Sequence, residues 1–170
     1  MIKILVLLTI TLFMSAYGSQ AYGMNYELSD DDIYCLQKNA YFEGRNQGTA
    51  GIIAVVMVTL NRVDSPRFPN SVCEVVHQAK KNKYGRILLN KCQFSWYCDG
   101  KSDEIFDDSS WLDIRTKVYN ALLLRRISTD ITDGSIYYHS VKVFPNWRNE
   151  MKFVTIIGDH IFYKEARNDG

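Results

Sequence analysis

Glu43 lies in a stretch, residues 39–63 (NAYFEGRNQGTAGIIAVVMVTLNRV), in which two aromatic residues precede it, Gly44 follows it, and a long apolar run closes on Asn61 and Arg62. A carboxyl group partly withdrawn from water disfavours its ionised form, so its pKa rises. An acid that must still hold a proton near neutral pH needs such a rise. The stretch therefore points to general-acid chemistry at Glu43. The plainer alternative is an exposed glutamate at a helix end ahead of a glycine cap.

A second group of chemistry-bearing residues is Gln93, Phe94, Ser95, Trp96, Tyr97, Cys98, Asp99 and Gly100, which mixes three aromatic rings with amide, hydroxyl and carboxyl groups. Sugars offer apolar ring faces and a rim of hydroxyls, and a groove for them needs that mixture. Aromatic packing under a cysteine staple accounts for the same residues. The three histidines, His77, His139 and His160, have no metal-ligand spacing such as two four apart on a helix, so neither a metal site nor a cofactor is expected.

The elements that must position these groups follow from local patterns. Ser29 followed by Asp32 reads as a capping box, and Ile33, Leu36, Ala40 and Glu43 then share one helix face, apolar until its last position. Residues 44–51, with three glycines, read as a loop, and residues 52–63 as a central helix buried on all sides. Pro66 and Pro69 stop it. Ser71 with Glu74 opens a short third helix whose stripe is Val72, Val75, Val76 and Ala79, and residues 80–91 read as a solvated basic loop. Ser110 with Asp113 opens a fourth, with Trp111, Ile114, Val118, Ala121 and Leu122 at helical spacing up to Arg125 and Arg126.

The β signal is C-terminal. Asp133-Gly134 turns the chain into a tyrosine-rich strand over 136–140 that ends near His139. Residues 153–157 and 160–164 flank Gly158-Asp159, a two-residue hairpin turn of the glycine-first kind, which sets Ile157 opposite His160 and predicts Phe153 and Phe162 on one face. His160 then looks inward or into a groove, and a hydrogen-bonded structural histidine is the expectation there.

The chain as a whole has 170 residues, 46% hydrophobic and 23% charged, which suits one globular domain with a real core. Its net charge of +1, from 20 basic and 19 acidic residues, provides no field for nucleic acid. Lys3, the apolar run 4–14 and the small residues around Ala21 predict an export signal over 1–21, cleaved after Ala21 and too short for an ordinary spanning helix. In an oxidising compartment the four cysteines, Cys35, Cys73, Cys92 and Cys98, predict two disulfides in any of three pairings.

Taken together, AYFEGRNQG, the run ending LNRV, SPRFPNSVCEVV, CQFSWYCDG, IYYHSVKVFPNW and IGDHIFY resemble, in order, the SleB/CwlJ-like cell wall hydrolase family over residues 35–163. The resemblance implies an exported, monomeric domain of lysozyme-like α+β character, mainly helical with a small antiparallel sheet from its C-terminal part. It implies peptidoglycan glycan strands as partner, cut between N-acetylmuramic acid and N-acetylglucosamine, for several members by lytic transglycosylation. By position, Glu43 matches the family's catalytic glutamate, while Gln93, Phe94, Ser95, Trp96, Asp99, Tyr138, His139, Trp147 and His160 match recurrent groove positions. Two departures stand out. Gly44-Arg45-Asn46 replaces the family's Ala then Arg-Gly, which predicts a freer loop, and Gln47 stands where relatives often carry a second carboxylate. With no carboxylate beside Glu43, the chemistry expected is transglycosylation, the alternatives being muramidase-type hydrolysis, with Asp99 or Asp159 orienting a water, and a wall-binding module without catalysis.

Overall fold

The computed structural model describes residues 27–166, and the expected export signal over 1–21 lies outside them. Ser29 caps helix α1 (Asp30–Gly44), its hydroxyl accepting the Asp32 N–H at 3.1 Å. Asp30, Asp31 and Asp32 fill the first turn, where the helix dipole favours negative charge. Helix α2 (Gly48–Asp64) is buried from Ile52 to Val63 apart from a partly exposed Ile53, so its apolar run has neighbours on every side. The first turn of α2 takes in Gly48 and Gly51, and the expected loop over 44–51 shrinks to residues 45–47. Gly44 and Gly51 mark close approach rather than a break: a Cβ on Gly44 would come within 3.3 Å of the Ile52 Cα, so a larger residue would push α1 and α2 apart at this corner. The loop after Glu43 is accordingly short and tied, not freer.

Helix α3 (Val72–Val76) is capped by Ser71, which accepts from the Glu74 N–H, as its capping box predicts. Ala79, expected at the end of that stripe, instead opens strand β1 (Ala79–Lys81), which pairs antiparallel with β2 (Ile87–Cys92). The predicted basic loop is thus a hairpin. Ile87, Leu88 and Leu89 are all exposed, so the strands lack the alternation of buried and exposed residues that would have announced them. Asn82 organises the turn by accepting the N–H groups of Tyr84 and Arg86. Helix α4 (Asp108–Arg126) starts earlier than predicted because Asp107, not Ser110, is its cap, accepting the Ser110 N–H at 3.0 Å. Ile114, Val118 and Ala121 of α4 complete one core with α1, α2 and α3.

The C-terminal sheet runs β3 (Tyr137–Ser140), β5 (His160–Glu165), β4 (Met151–Ile157) in spatial order, all antiparallel. Gly158, at φ 58°, makes the hairpin turn and sets Ile157 opposite His160, as predicted. The register slips between Phe153 and Thr155, so Phe153 pairs with Tyr163 and stays exposed while Phe162 is fully buried. Phe153 and Phe162 therefore lie on opposite faces, because the bulge reverses the alternation that the turn alone would dictate. The end of α2 pins the sheet: Asn61 Nδ2 donates to Asp130 and to the Ser135 carbonyl, and Arg62 Nε donates to the Ile136 carbonyl at 2.8 Å. Disulfides join Cys35 to Cys73, tying α1 to α3, and Cys92 to Cys98. Among the described residues no helix is long and apolar enough to cross a membrane.

Candidate active site

Glu43 occupies the last turn of α1, directly after Tyr41, which is 2% exposed, and Phe42, which stacks on Trp96 at 4.8 Å between ring centres. The helix turn thus holds the carboxyl at the edge of the core, facing strand β3. Tyr138 donates its hydroxyl to Glu43 Oε2 at 3.1 Å. Burial raises the Glu43 pKa above the usual carboxylate range, and it is opposed by the Tyr138 hydrogen bond, the Arg62 charge and the Ser95 N–H, each of which favours the ionised form. The carboxyl is therefore shifted toward what a general acid needs.

Around it is a cleft of about 640 Å³ lined by Glu43, Arg62, Gln93, Ser95, Tyr138, Trp147 and His160, among others. Tyr138, Phe162 and His160 share the sheet face that packs on Ala54 and Val58 of α2, which turns the Tyr138 hydroxyl toward α1. His139 points to the opposite face. Its Nδ1 lies 2.8 Å from the Ser140 carbonyl, which can only accept, so Nδ1 carries the proton and Nε2 accepts from the Tyr163 hydroxyl at 3.0 Å. Both nitrogens being engaged, His139 serves to hold Tyr163 and the Trp147 ring, whose centre is 5.5 Å away. His160 is 8% exposed, and its Nδ1 has no hydrogen-bond partner, contrary to the expected hydrogen-bonded histidine. Burial lowers its pKa, with Asp159 opposing, so it is neutral at neutral pH.

Sequence candidates divide. Glu43, Gln93, Ser95, Tyr138, His139, Trp147 and His160 line this one cleft. Phe94 does not: it is 2% exposed, and its ring face meets the Arg62 guanidinium at 4.9 Å. Trp96 is nearly buried, its Nε1 donating to Asn39 Oδ1 at 2.9 Å, and with Asp99 it lines a second cavity of about 450 Å³ that meets the first at Ser95. The alternation within 93–99 is thus half groove and half core, a division that aromatic content cannot express. Gln47 faces neither cavity; its Oε1 accepts the Asp159 N–H at 2.7 Å and braces the hairpin turn. Sequence reasoning assigned no role to Arg62, which lines the cleft while 3% exposed. The available signal was a charged residue ending a run that is apolar all round.

Comparison with known proteins agrees with this architecture. The chain is 40% identical over 135 residues to the spore cortex-lytic enzyme of Halalkalibacterium halodurans, covering 79% of this chain and 35% of that protein. It spans less than half the length of the curated relatives it matches, at 16%, 35% and 46% of each. Among solved structures it is similar to the catalytic domain of the germination-specific lytic transglycosylase SleB from Bacillus anthracis, at TM-score 0.61 and 26% identity, covering 83% of this chain and 98% of that one. It is similar also to the catalytic domain of the Bacillus cereus SleB protein, at TM-score 0.62 and 26% identity, covering 86% of this chain and 99% of that one. The lysozyme-like α+β character expected from sequence therefore holds. The profile of the cell wall hydrolase family matches residues 46–163, beginning just past Glu43 and taking in the rest of the cleft, and the chain belongs to that family.

Proposed function

We propose that the chain cuts peptidoglycan glycan strands between N-acetylmuramic acid and N-acetylglucosamine as a lytic transglycosylase, with Glu43 acting first as acid and then as base. One observation carries the reading: among the described residues that line the cleft, Glu43 is the only carboxylate. A two-carboxylate glycosidase needs a partner roughly 5–5.5 Å away for retention, or roughly 6.5–9.5 Å away for inversion. Asp99 belongs to the second cavity and Asp159 to the hairpin turn.

With a single group the chemistry closes on itself. The Glu43 carboxylic acid gives its proton to the glycosidic oxygen, the bond from that oxygen to the muramic acid C1 breaks, and the N-acetylglucosamine side leaves as an alcohol. The Glu43 carboxylate then takes the proton of the muramic acid 6-hydroxyl as O6 bonds to C1. The product is a 1,6-anhydro end, and Glu43 is protonated again. Trp147 and Tyr138 offer ring faces to the sugars, Gln93 and Ser95 offer hydrogen-bond partners, and His160 offers a neutral imidazole. The same reading treats the protein as a monomer, takes residues 1–21 as an export signal and places the protein at the cell wall, the last two in keeping with two disulfides.

The test is mass spectrometry of muropeptides released from purified sacculi by wild type and by Glu43→Gln. Wild type should release anhydro ends, and Glu43→Gln should release none while still cosedimenting with sacculi. Reducing ends would make the enzyme a hydrolase. Unchanged release by Glu43→Gln would remove Glu43 as the acid, and binding to sacculi without any release by wild type would leave only a binding module.

A further inference from the structure

Arg62 poses a physical problem. It is a full charge in the interior, and no carboxylate forms an ion pair with it among the described residues. Its Nε is used by the Ile136 carbonyl, its guanidinium carbon lies 5.3 Å and 4.9 Å from the ring centres of Phe68 and Phe94, and its Nη1 is buried without a partner. Were stability the only requirement, an apolar side chain of similar volume would serve better, because an unpaired buried charge is costly. Two aromatic faces and one carbonyl instead hold the cation in one place, on the wall of the cleft that contains Glu43.

We propose that Arg62 is the positioning charge for the proton cycle of Glu43: unpaired while the carboxyl is protonated, and compensated once that proton has moved to the glycosidic oxygen. The proposal rests on the reading of Glu43 as the acid. Burial alone would make the carboxyl hold its proton too tightly to give it up. A fixed positive charge favours the carboxylate just when it forms, and keeps it available as the base for the 6-hydroxyl. Other groups facing Glu43 cannot substitute. Tyr138 on β3 is held a neutral phenol by burial, Tyr137 offers no fixed cation, His139 has both nitrogens engaged, and His160 on β5 is neutral. Ser95 contributes only its N–H, and Arg45, just past the end of α1, is turned to the Tyr41 hydroxyl. The titration of both groups is consistent with this: burial pulls the Arg62 guanidinium down to about 10, still charged at neutral pH, and its charge lowers the Glu43 pKa against the effect of burial.

The experiment is the pH profile of anhydro-muropeptide release by wild type, Arg62→Gln, Arg62→Met and Arg62→Lys, each checked by thermal melting. Activity that needs a protonated Glu43 falls on the alkaline side. Removing the cation should move that alkaline limb to higher pH by about one unit and lower the maximal rate roughly tenfold, whereas Arg62→Lys should keep the limb near its wild-type position. An alkaline limb unmoved in a folded, charge-free variant overturns the proposal, whatever the loss of rate. Arg62→Met fills the space between Phe68 and Phe94 without an unpaired polar group, so it stands in if Arg62→Gln does not fold; unfolding of both assigns Arg62 to the fold alone and overturns the proposal as well. An active Glu43→Gln would sink the acid assignment itself. An inactive Glu43→Gln beside an unmoved limb sinks only the role of Arg62.

Discussion

The Tyr138 hydroxyl meets Glu43 Oε2 at 3.1 Å across 95 residues of sequence, so strand β3 and the last turn of α1 share one hydrogen bond at the centre of the cleft. Burial holds the Tyr138 pKa well above the ordinary phenol value, so the group stays a neutral donor through the working pH range. Tyr138→Phe keeps the ring and loses the donor. Glu43 should then hold its proton more tightly, and muropeptide release should fall roughly tenfold, equivalent to about 1.4 kcal/mol. The melting transition should report a loss below about 1.5 kcal/mol.

The acid also carries a stability cost with a definite sign. Its folded pKa is raised from the ordinary 4.5 chiefly by burial, so stability is greatest below that value and is lost as pH rises through the folded value. Glu43→Gln removes that titration. The variant should therefore melt above wild type at pH 8, with the gap closing toward pH 4. A constant gap across that range would contradict a buried, titrating carboxyl.

The two disulfides should separate by loop length. Cys35–Cys73 closes a separation of 38 residues, and its removal should cost about 4 kcal/mol by chain entropy, whereas Cys92–Cys98 closes 6 and should cost about 2 kcal/mol. Activity should rank the other way. Cys92–Cys98 brackets Gln93 and Ser95, which line the cleft, so the Cys92→Ser, Cys98→Ser variant should lose more cleavage than its melting point implies.

Asn39 is fully buried and connects α1 to α2 and to the turn at Ser95–Cys98: its Nδ2 donates to Thr59 Oγ1 at 3.2 Å, and its Oδ1 accepts from Trp96 Nε1 at 2.9 Å. Asn39→Ala leaves a buried indole N–H with no acceptor, which should cost about 2–4 kcal/mol by chemical denaturation. The Trp96 fluorescence should shift with it. An unchanged emission spectrum would mean that the turn is held by its other contacts.

Gln47 bears on the question of a second carboxylate. Its Oε1 is committed to the Asp159 N–H, so Gln47→Glu should retain that bond and leave the product as anhydro ends. Gly158→Ala should be the damaging change: φ is 58° and a Cβ would sit 2.8 Å from Gln47 Oε1, for a cost of about 1–2 kcal/mol and a displaced His160 next in the strand. Circular dichroism melts and the muropeptide assay read both.

What the sequence alone determined are features whose causes lie within a few residues. Ser29 and Ser71 reach the N–H groups of Asp32 and Glu74 three positions on, the length of the apolar run from Ile52 to Val63 favours an interior helix over a strand, and Gly158 in its positive-φ turn sets Ile157 against His160. The resemblance to the cell wall hydrolase family was legible for the same reason, being carried by short contiguous motifs. Tertiary structure decided everything that depends on partners far apart in the chain. Whether Glu43 meets Tyr138, whether Phe94 faces a cleft or the Arg62 guanidinium, which cysteines pair, and whether Arg62 is a surface cation or a buried one are questions of packing between α1, α2 and β3. Burial and charge set the chemistry of that carboxyl, and no local pattern encodes either until the helices and the sheet have closed over it.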